Sequence, residues 1–201
     1  MTLSNQPTGA VLLGAGLGRR FGSDKRLALL GERTVAETTT QVYAGAFEQL
    51  RIVLRPGDTA LAKLLAPYGQ IVFAEQAHLG MGHSLAAGFT DLSWQWAFVG
   101  LLDMPFVGNA TLATLRQRAG DTEQRILRPR VHAESSAEPH GHPMGFHHSL
   151  FVEMTLLQGD TGARSLLQAY AGDIEDVAFS DTGIVRDIDK PEDLPPFQQP
   201  I

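Results

Sequence analysis

The sequence predicts an α/β protein of three layers, α/β/α, built on a mostly parallel, Rossmann-like sheet. Short apolar runs rich in branched residues alternate along the 201 residues with longer segments of helical period, the pattern of parallel strands covered by helices. The first such run ends in a glycine-rich turn, and a later one ends in an acid followed by proline, so polar groups gather where strands finish. A hydrophobic content of 43% fills one sizeable core, and one domain is expected over residues 1–201, with a frayed tail at 195–201.

In chain order the branched apolar runs "AVLL", "RIVL", "IVFA" and "AFVGLL" place strands at 10–13, 51–54, 71–74 and 97–102. Two further strands are expected at 125–130 and 176–180. Between them, apolar residues recur with helical spacing at 34–45, 58–66, 81–89, 109–119, 149–157 and 163–170. The stretch "HAESSAEPHGHPMG" is polar, small and rich in turn formers, so it reads as a functional surface loop.

Composition excludes several classes. A net charge of −6 argues against general attraction to nucleic acid, and it isolates the basic cluster Arg19, Arg20, Lys25 and Arg26 as a local feature suited to a small polyanion. The absence of cysteine rules out disulfides and thiolate metal sites. The opening "MTLSNQPTG" lacks the basic and apolar regions of a leader, and no apolar run spans a bilayer. A cytoplasmic protein with neither membrane nor nucleic-acid partners is expected.

The segment "VLLGAGLGRRFGSDKR", residues 11–26, is the first candidate site. Glycines let backbone N–H groups approach an anion closely. It is not the dinucleotide fingerprint, since Arg19 stands where the third glycine belongs, and it is not a P-loop, since its lysine follows "GSD". What remains is a backbone cradle over Leu13, Gly14, Ala15, Gly16 and Gly18, with Arg20 as a fork donor and Lys25 as a flexible point charge. That combination suits a triphosphate lying along the loop.

Asp103, in "WAFVGLLDMP", ends an apolar run before a proline, which puts it at a strand's carboxyl end. A carboxylate there needs solvent, a cation or a helix to cap, although Asn109 is the better N-cap of the next helix. In "VRDIDKPEDL", Asp187 and Asp189 are two apart, so both face one side of an extended segment and spacing does not choose between them. Glu192 and Asp193, after Pro191, read as first-turn acids. In "GMGHSL", Gly82 and Ser84 either start a helix, with Ser84 as its N-cap, or turn amides and a hydroxyl toward a ligand. The histidines of "HGHPMGFHH" have no cysteine or acid among them, which argues against a zinc site.

"LGAGLGRRFGSDK" resembles the signature of nucleotidyltransferases that join a nucleoside triphosphate to a phosphorylated metabolite, and most closely the MobA-like branch that acts on the molybdenum cofactor. "GMGHSLAAGF", "LLDMP", "GHPMGF", "GDTGAR" and "DIDKPEDL" extend the resemblance in order along most of the chain. It implies the fold of nucleotide-diphospho-sugar transferases, with Arg20, Lys25 and Asp103 as catalytic residues and Mg²⁺, with Mn²⁺ as alternative, on Asp103 and Asp189. Lys190 stands where the family usually has threonine. By the same resemblance Gly82 and Ser84 meet the base or ribose, and Gly141, His142, Pro143 and Arg164 meet the acceptor. The implied reaction is cytidylyl transfer from CTP to molybdenum-molybdopterin, a phosphorylated pterin. A guanylyltransferase of the same cofactor, a sugar-phosphate or methylerythritol-phosphate nucleotidyltransferase, and a non-catalytic cofactor-binding maturation partner are the rivals. An apo-molybdoenzyme or its chaperone is the implied protein partner. In the family, alanine at the position of Ala15 accompanies cytidylyl transfer and glycine guanylyl transfer. Gly14, where alanine is usual, predicts a more pliable loop.

Overall fold

The structure is a computed structural model that describes residues 7–16, 21–132 and 139–195. Its centre is a seven-stranded sheet. The strands are β1 (Thr8–Leu13), β4 (Gln49–Leu54), β5 (Gln70–Phe73), β6 (Trp96–Leu101), β7 (Ile126–Val131), β8 (Met144–His147) and β9 (Ile174–Phe179), in spatial order β5-β4-β1-β6-β8-β7-β9. A separate two-stranded ribbon, β2 (Leu29–Leu30) with β3 (Arg33–Thr34), follows the glycine-rich segment. The helices are α1 (Val35–Ala46), α2 (Thr59–Leu65), α3 (Met81–Phe89), α4 (Asn109–Asp121), α5 (Phe151–Thr155) and α6 (Arg164–Ala169).

Alternation along β1 explains the layers. Ala10 and Leu12 point to one face, where they join Ile52, Phe98, Tyr43, Leu112 and Leu115. Val11 and Leu13 point to the other, with Val53, Val99, Leu85, Phe89 and Phe146. A strand buried on both faces must be apolar throughout, which is why the run carries no polar side chain between Thr8 and Gly14. Fully burying a side chain such as Leu12 or Phe98 contributes roughly 1.5–3 kcal/mol. Helix α1 starts where its own residues cap it: Thr34 Oγ1 accepts from the Glu37 N–H at 3.2 Å, and Glu37 Oε2 accepts from the Thr34 N–H at 3.0 Å.

All neighbours pair in parallel except around β8, which runs antiparallel to both β6 and β7. This corrects the loop reading of "HAESSAEPHGHPMG" at its end, where Met144 and Gly145 begin β8. Four residues beginning after a proline and containing Gly145 carry no strand alternation, yet Gly145 is required where it sits, because a Cβ there would come within 2.7 Å of the Phe98 ring. The expected helix at 149–157 is also shorter: a 3₁₀ turn, His148–Leu150, leads into α5. Residue 109 opens α4 as its first helical residue and Gly108 is the N-cap, so the cap expected at Asn109 lies one position earlier. Asp181 supplies the missing side chain, its Oδ2 accepting from the Gly108 N–H at 2.8 Å and from Thr111 Oγ1 at 2.6 Å.

Candidate active site

The parallel strands β1, β4 and β6 end side by side, and the crevice beyond their carboxyl ends is a cavity of about 970 Å³, within the range of small-molecule sites. Leu13, Gly14, Ala15, Gly16, Lys25, Ser84, Asp103 and Asp189 all border it. Gly18 and Arg20 lie outside the described residues.

The cradle is anchored at its first glycine. The Gly14 N–H extends the ladder to Val53 O at 2.8 Å, and its carbonyl accepts from the Arg26 guanidinium. A Cβ at Gly14 would lie 2.6 Å from Leu102 Cδ2, so glycine there serves packing. Both backbone groups of Gly14 are committed. Ala15 is 4% exposed at the cavity wall, and Gly16 is exposed.

Arg26 is taken up by carboxylates. It is buried, and its guanidinium bonds Asp24 Oδ2 at 2.6 Å and both carboxylate oxygens of Asp58, at 2.6 and 2.8 Å. Arg55 Nη2 adds a 2.9 Å bond to Asp58 Oδ1. Burial would raise the Asp58 pKa, but the two guanidinium groups outweigh it and hold the carboxyl at about 2. This network ties the glycine turn, the 3₁₀ turn Lys25–Leu27 and the β4–α2 loop together. Its only sequence signals are the spacings in "SDKR" and "RPGD", which the reading of a basic cluster obscured.

The acids converge. Strand β6 ends at Leu101, the Leu102 N–H still reaches Leu13 O at 3.0 Å, and the chain then turns at Asp103. The Ile188 N–H donates to Asp103 O at 3.0 Å, and the Ile188 side chain is buried, so its neighbours Asp187 and Asp189 both face Asp103. Ligand oxygens of the three acids lie within 4.8 Å of one another. Asp193 Oδ2 accepts from the Asp189 N–H at 2.8 Å and the Lys190 N–H at 2.7 Å, which depresses its own pKa and fixes the turn. The Lys190 side chain is not part of that clamp, so threonine is not needed for it.

Lys25 completes the cluster. Its Nζ lies 2.7 Å from Asp103 Oδ2 and 2.7 Å from Asp189 Oδ1, and its side chain is only 12% exposed. Desolvation works against its charge, but the two carboxylates prevail and raise its pKa. An all-oxygen set of three carboxylates is the donor chemistry of a hard divalent cation. The residues present therefore fit Mg²⁺ or Mn²⁺.

Ser84 is not an N-cap. Helix α3 starts at Met81 with Gly80 as N-cap, and Ser84 sits one turn in, buried at the cavity. Gly82 is not brought to the cavity wall: its N–H donates to Gly159 O at 2.8 Å, and a Cβ would lie 2.6 Å from the Gln158 backbone. It packs α3 against the 158–160 turn, whose Asp160 does border the cavity.

The acceptor-side candidates separate too. Gly141 packs against Ile184, where a Cβ would meet the carbonyl oxygen at 2.2 Å. Pro143 follows a cis peptide bond and is buried. His142 Nδ1 is 3.2 Å from Val99 O; desolvation lowers its pKa, against the pull of Asp103 and Asp187 on the acid side. Arg164 opens α6, exposed and away from the cavity wall. Beyond the expected residues, His78 and Arg55 line the cavity. No helix is long and apolar enough to cross a membrane among the described residues.

Known proteins share this fold. Rv0371c from Mycobacterium tuberculosis H37Rv superposes with a TM-score of 0.80 at 25% identity, covering 95% of this chain and 96% of that one. A structure of Rv0371c in complex with manganese gives 0.72 at 23% identity, over 88% and 89%. Molybdopterin-guanine dinucleotide biosynthesis protein A from Archaeoglobus fulgidus gives 0.65 at 19% identity, over 92% and 94%. No curated protein matches the sequence. With a glycine turn, a half-buried lysine and converging carboxylates in one crevice, and a family match running over residues 10–174, this chain belongs to the MobA-like NTP transferase family.

Proposed function

We propose that this nucleotidyltransferase transfers CMP from CTP to the terminal phosphate of molybdenum-molybdopterin, releasing pyrophosphate. The observation that carries the reading is the single cavity in which the glycine turn 14–16 meets Lys25, Asp103 and Asp189. A phosphate oxygen of the acceptor attacks the α-phosphorus, forming a new P–O bond. The bond from that phosphorus to the bridging oxygen breaks, and the electron pair leaves with pyrophosphate. The attacking phosphate is ionised near neutral pH, so no general base is required.

The chain's own groups orient and neutralise. Backbone at Gly14 to Gly16 and the hydroxyl of Ser84 border the nucleotide end of the crevice. Lys25, with Arg20 from the same loop, brings positive charge to the β- and γ-phosphates, where charge builds as pyrophosphate departs. A divalent cation bound by the acids supplies Lewis-acid polarisation of phosphoryl oxygens. Ala15 adds a methyl group to the cavity wall, which favours the smaller pyrimidine base. The reading is tested by pyrophosphate release from CTP and GTP in turn, with purified molybdenum-molybdopterin as acceptor. Release that depends on the acceptor and is faster with CTP is expected; faster release with GTP would reassign the donor.

A further inference from the structure

The ammonium of Lys25 occupies the place among the acids that a divalent cation needs. It bridges Asp103 Oδ2 and Asp189 Oδ1 at 2.7 Å each, while Asp187, exposed, completes the carboxylate group without bonding it. Those two oxygens cannot serve both cations closely, because a divalent ion on them would stand within a few ångströms of a positive charge that is itself largely removed from solvent. The lysine backbone is held, with Asp24 capping its 3₁₀ turn and the Ala28 N–H donating to Lys25 O at 3.2 Å. Only the flexible four-carbon stem is free to relocate. The glycine turn that borders the same cavity is where an anion would draw it.

We infer that Lys25 is an exchangeable internal cation, which holds the Asp103–Asp189 pair until a triphosphate draws its ammonium away and the carboxylates accept the metal. The inference rests on the triphosphate reading of the glycine turn and deepens it. Its consequence is coupling: whatever binds the lysine raises metal affinity, and by reciprocity the metal raises affinity for the polyanion. Apparent metal affinity of the protein alone is reduced by the fraction of molecules in which Lys25 has left the acids.

The test needs no turnover. Mn²⁺ is titrated calorimetrically into the full-length protein without nucleotide, comparing wild type with Lys25→Met and Lys25→Arg. Lys25→Met is expected to bind Mn²⁺ at least about tenfold more tightly, Lys25→Arg no more tightly than wild type, and the double change Lys25→Met with Asp103→Asn to lose the gain. Equal or weaker binding by folded Lys25→Met overturns the inference. Should Lys25→Met fail to fold, amine-selective labelling of wild type decides: Mg²⁺ should raise modification at Lys25 as the ammonium leaves the acids, and unchanged labelling overturns the exchange. Because neither measurement uses a donor or acceptor, pyrophosphate release without these metal effects sinks the exchange alone. Metal effects without pyrophosphate release sink the transfer reaction alone.

Discussion

Asp103 owes its position to two backbone facts: β6 stops before it, and its carbonyl holds the Ile188 N–H. Its carboxylate is thereby aimed at Asp189 and Lys25 rather than at a helix terminus. We predict that Asp103→Asn, which keeps shape but removes charge, reduces turnover by orders of magnitude with a smaller effect on nucleotide affinity, as steady-state kinetics and equilibrium binding would report. Asp189→Asn should resemble it. Asp187→Asn should be milder, because Asp187 is the exposed member and does not bond Lys25; a reversed order in the kinetics would exchange the two assignments. For Ala15, 4% exposed at the cavity wall, we predict that Ala15→Gly relaxes the preference for CTP over GTP. Filling or emptying one methyl typically changes discrimination by roughly 1–3 kcal/mol, so a bias of tenfold or more should shrink in a single-turnover competition.

Between residues and fold stand two short elements whose packing is set far along the chain. The N-terminus of α3 lies against the 158–160 turn so closely that Gly80 and Gly82 have no room for a Cβ; at Gly82 it would meet Gln158 backbone atoms at 2.6 Å. Backbone cannot move aside as a flexible side chain can, so Gly82→Ala should destabilise the fold by roughly 1–3 kcal/mol. Denaturant unfolding should show the loss, and Ser84→Ala should not reproduce it; a Gly82→Ala protein of wild-type stability would return that glycine to the ligand. The 181–193 segment is the second such element. Asp181 clasps α4 and Asp193 clasps the Asp189 turn, so two carboxylates outside the acid cluster hold the segment that carries Asp187 and Asp189.

At the scale of the molecule, the Arg26–Asp58 network joins the ends of β1 and β4 beneath the cradle. Asp58 titrates at about 2 instead of its ordinary 3.8. A depressed carboxylate contributes stability that is present above its unfolded pKa and disappears as pH falls through the folded one. Asp58→Asn should therefore cost roughly 2 kcal/mol at neutral pH. Thermal melts of variant and wild type should converge as pH falls from about 4 to about 2; a difference that persists unchanged at the lower pH would show that charge is not its origin.

The parallel core and its six flanking helices were legible in the sequence, because a strand buried on both faces must be apolar at every position and a covering helix must repeat its apolar face every turn. The converging acids were legible in part: alternation placed Asp187 and Asp189 on one side, and the buried Ile188 between them is the reason. Other features depended on partners distant in sequence. Strand β8 exists because β6 and β7 leave a four-residue gap that Gly145 fits, and no local pattern announces a slot made by neighbours. Arg26 and Lys25 are adjacent basic residues in one motif, yet one is neutralised by Asp24 and Asp58 and the other by Asp103 and Asp189. Charge type is written in the chain, whereas the opposite charge that claims it is chosen by the fold, since burial makes each cation take the carboxylates that packing brings within reach.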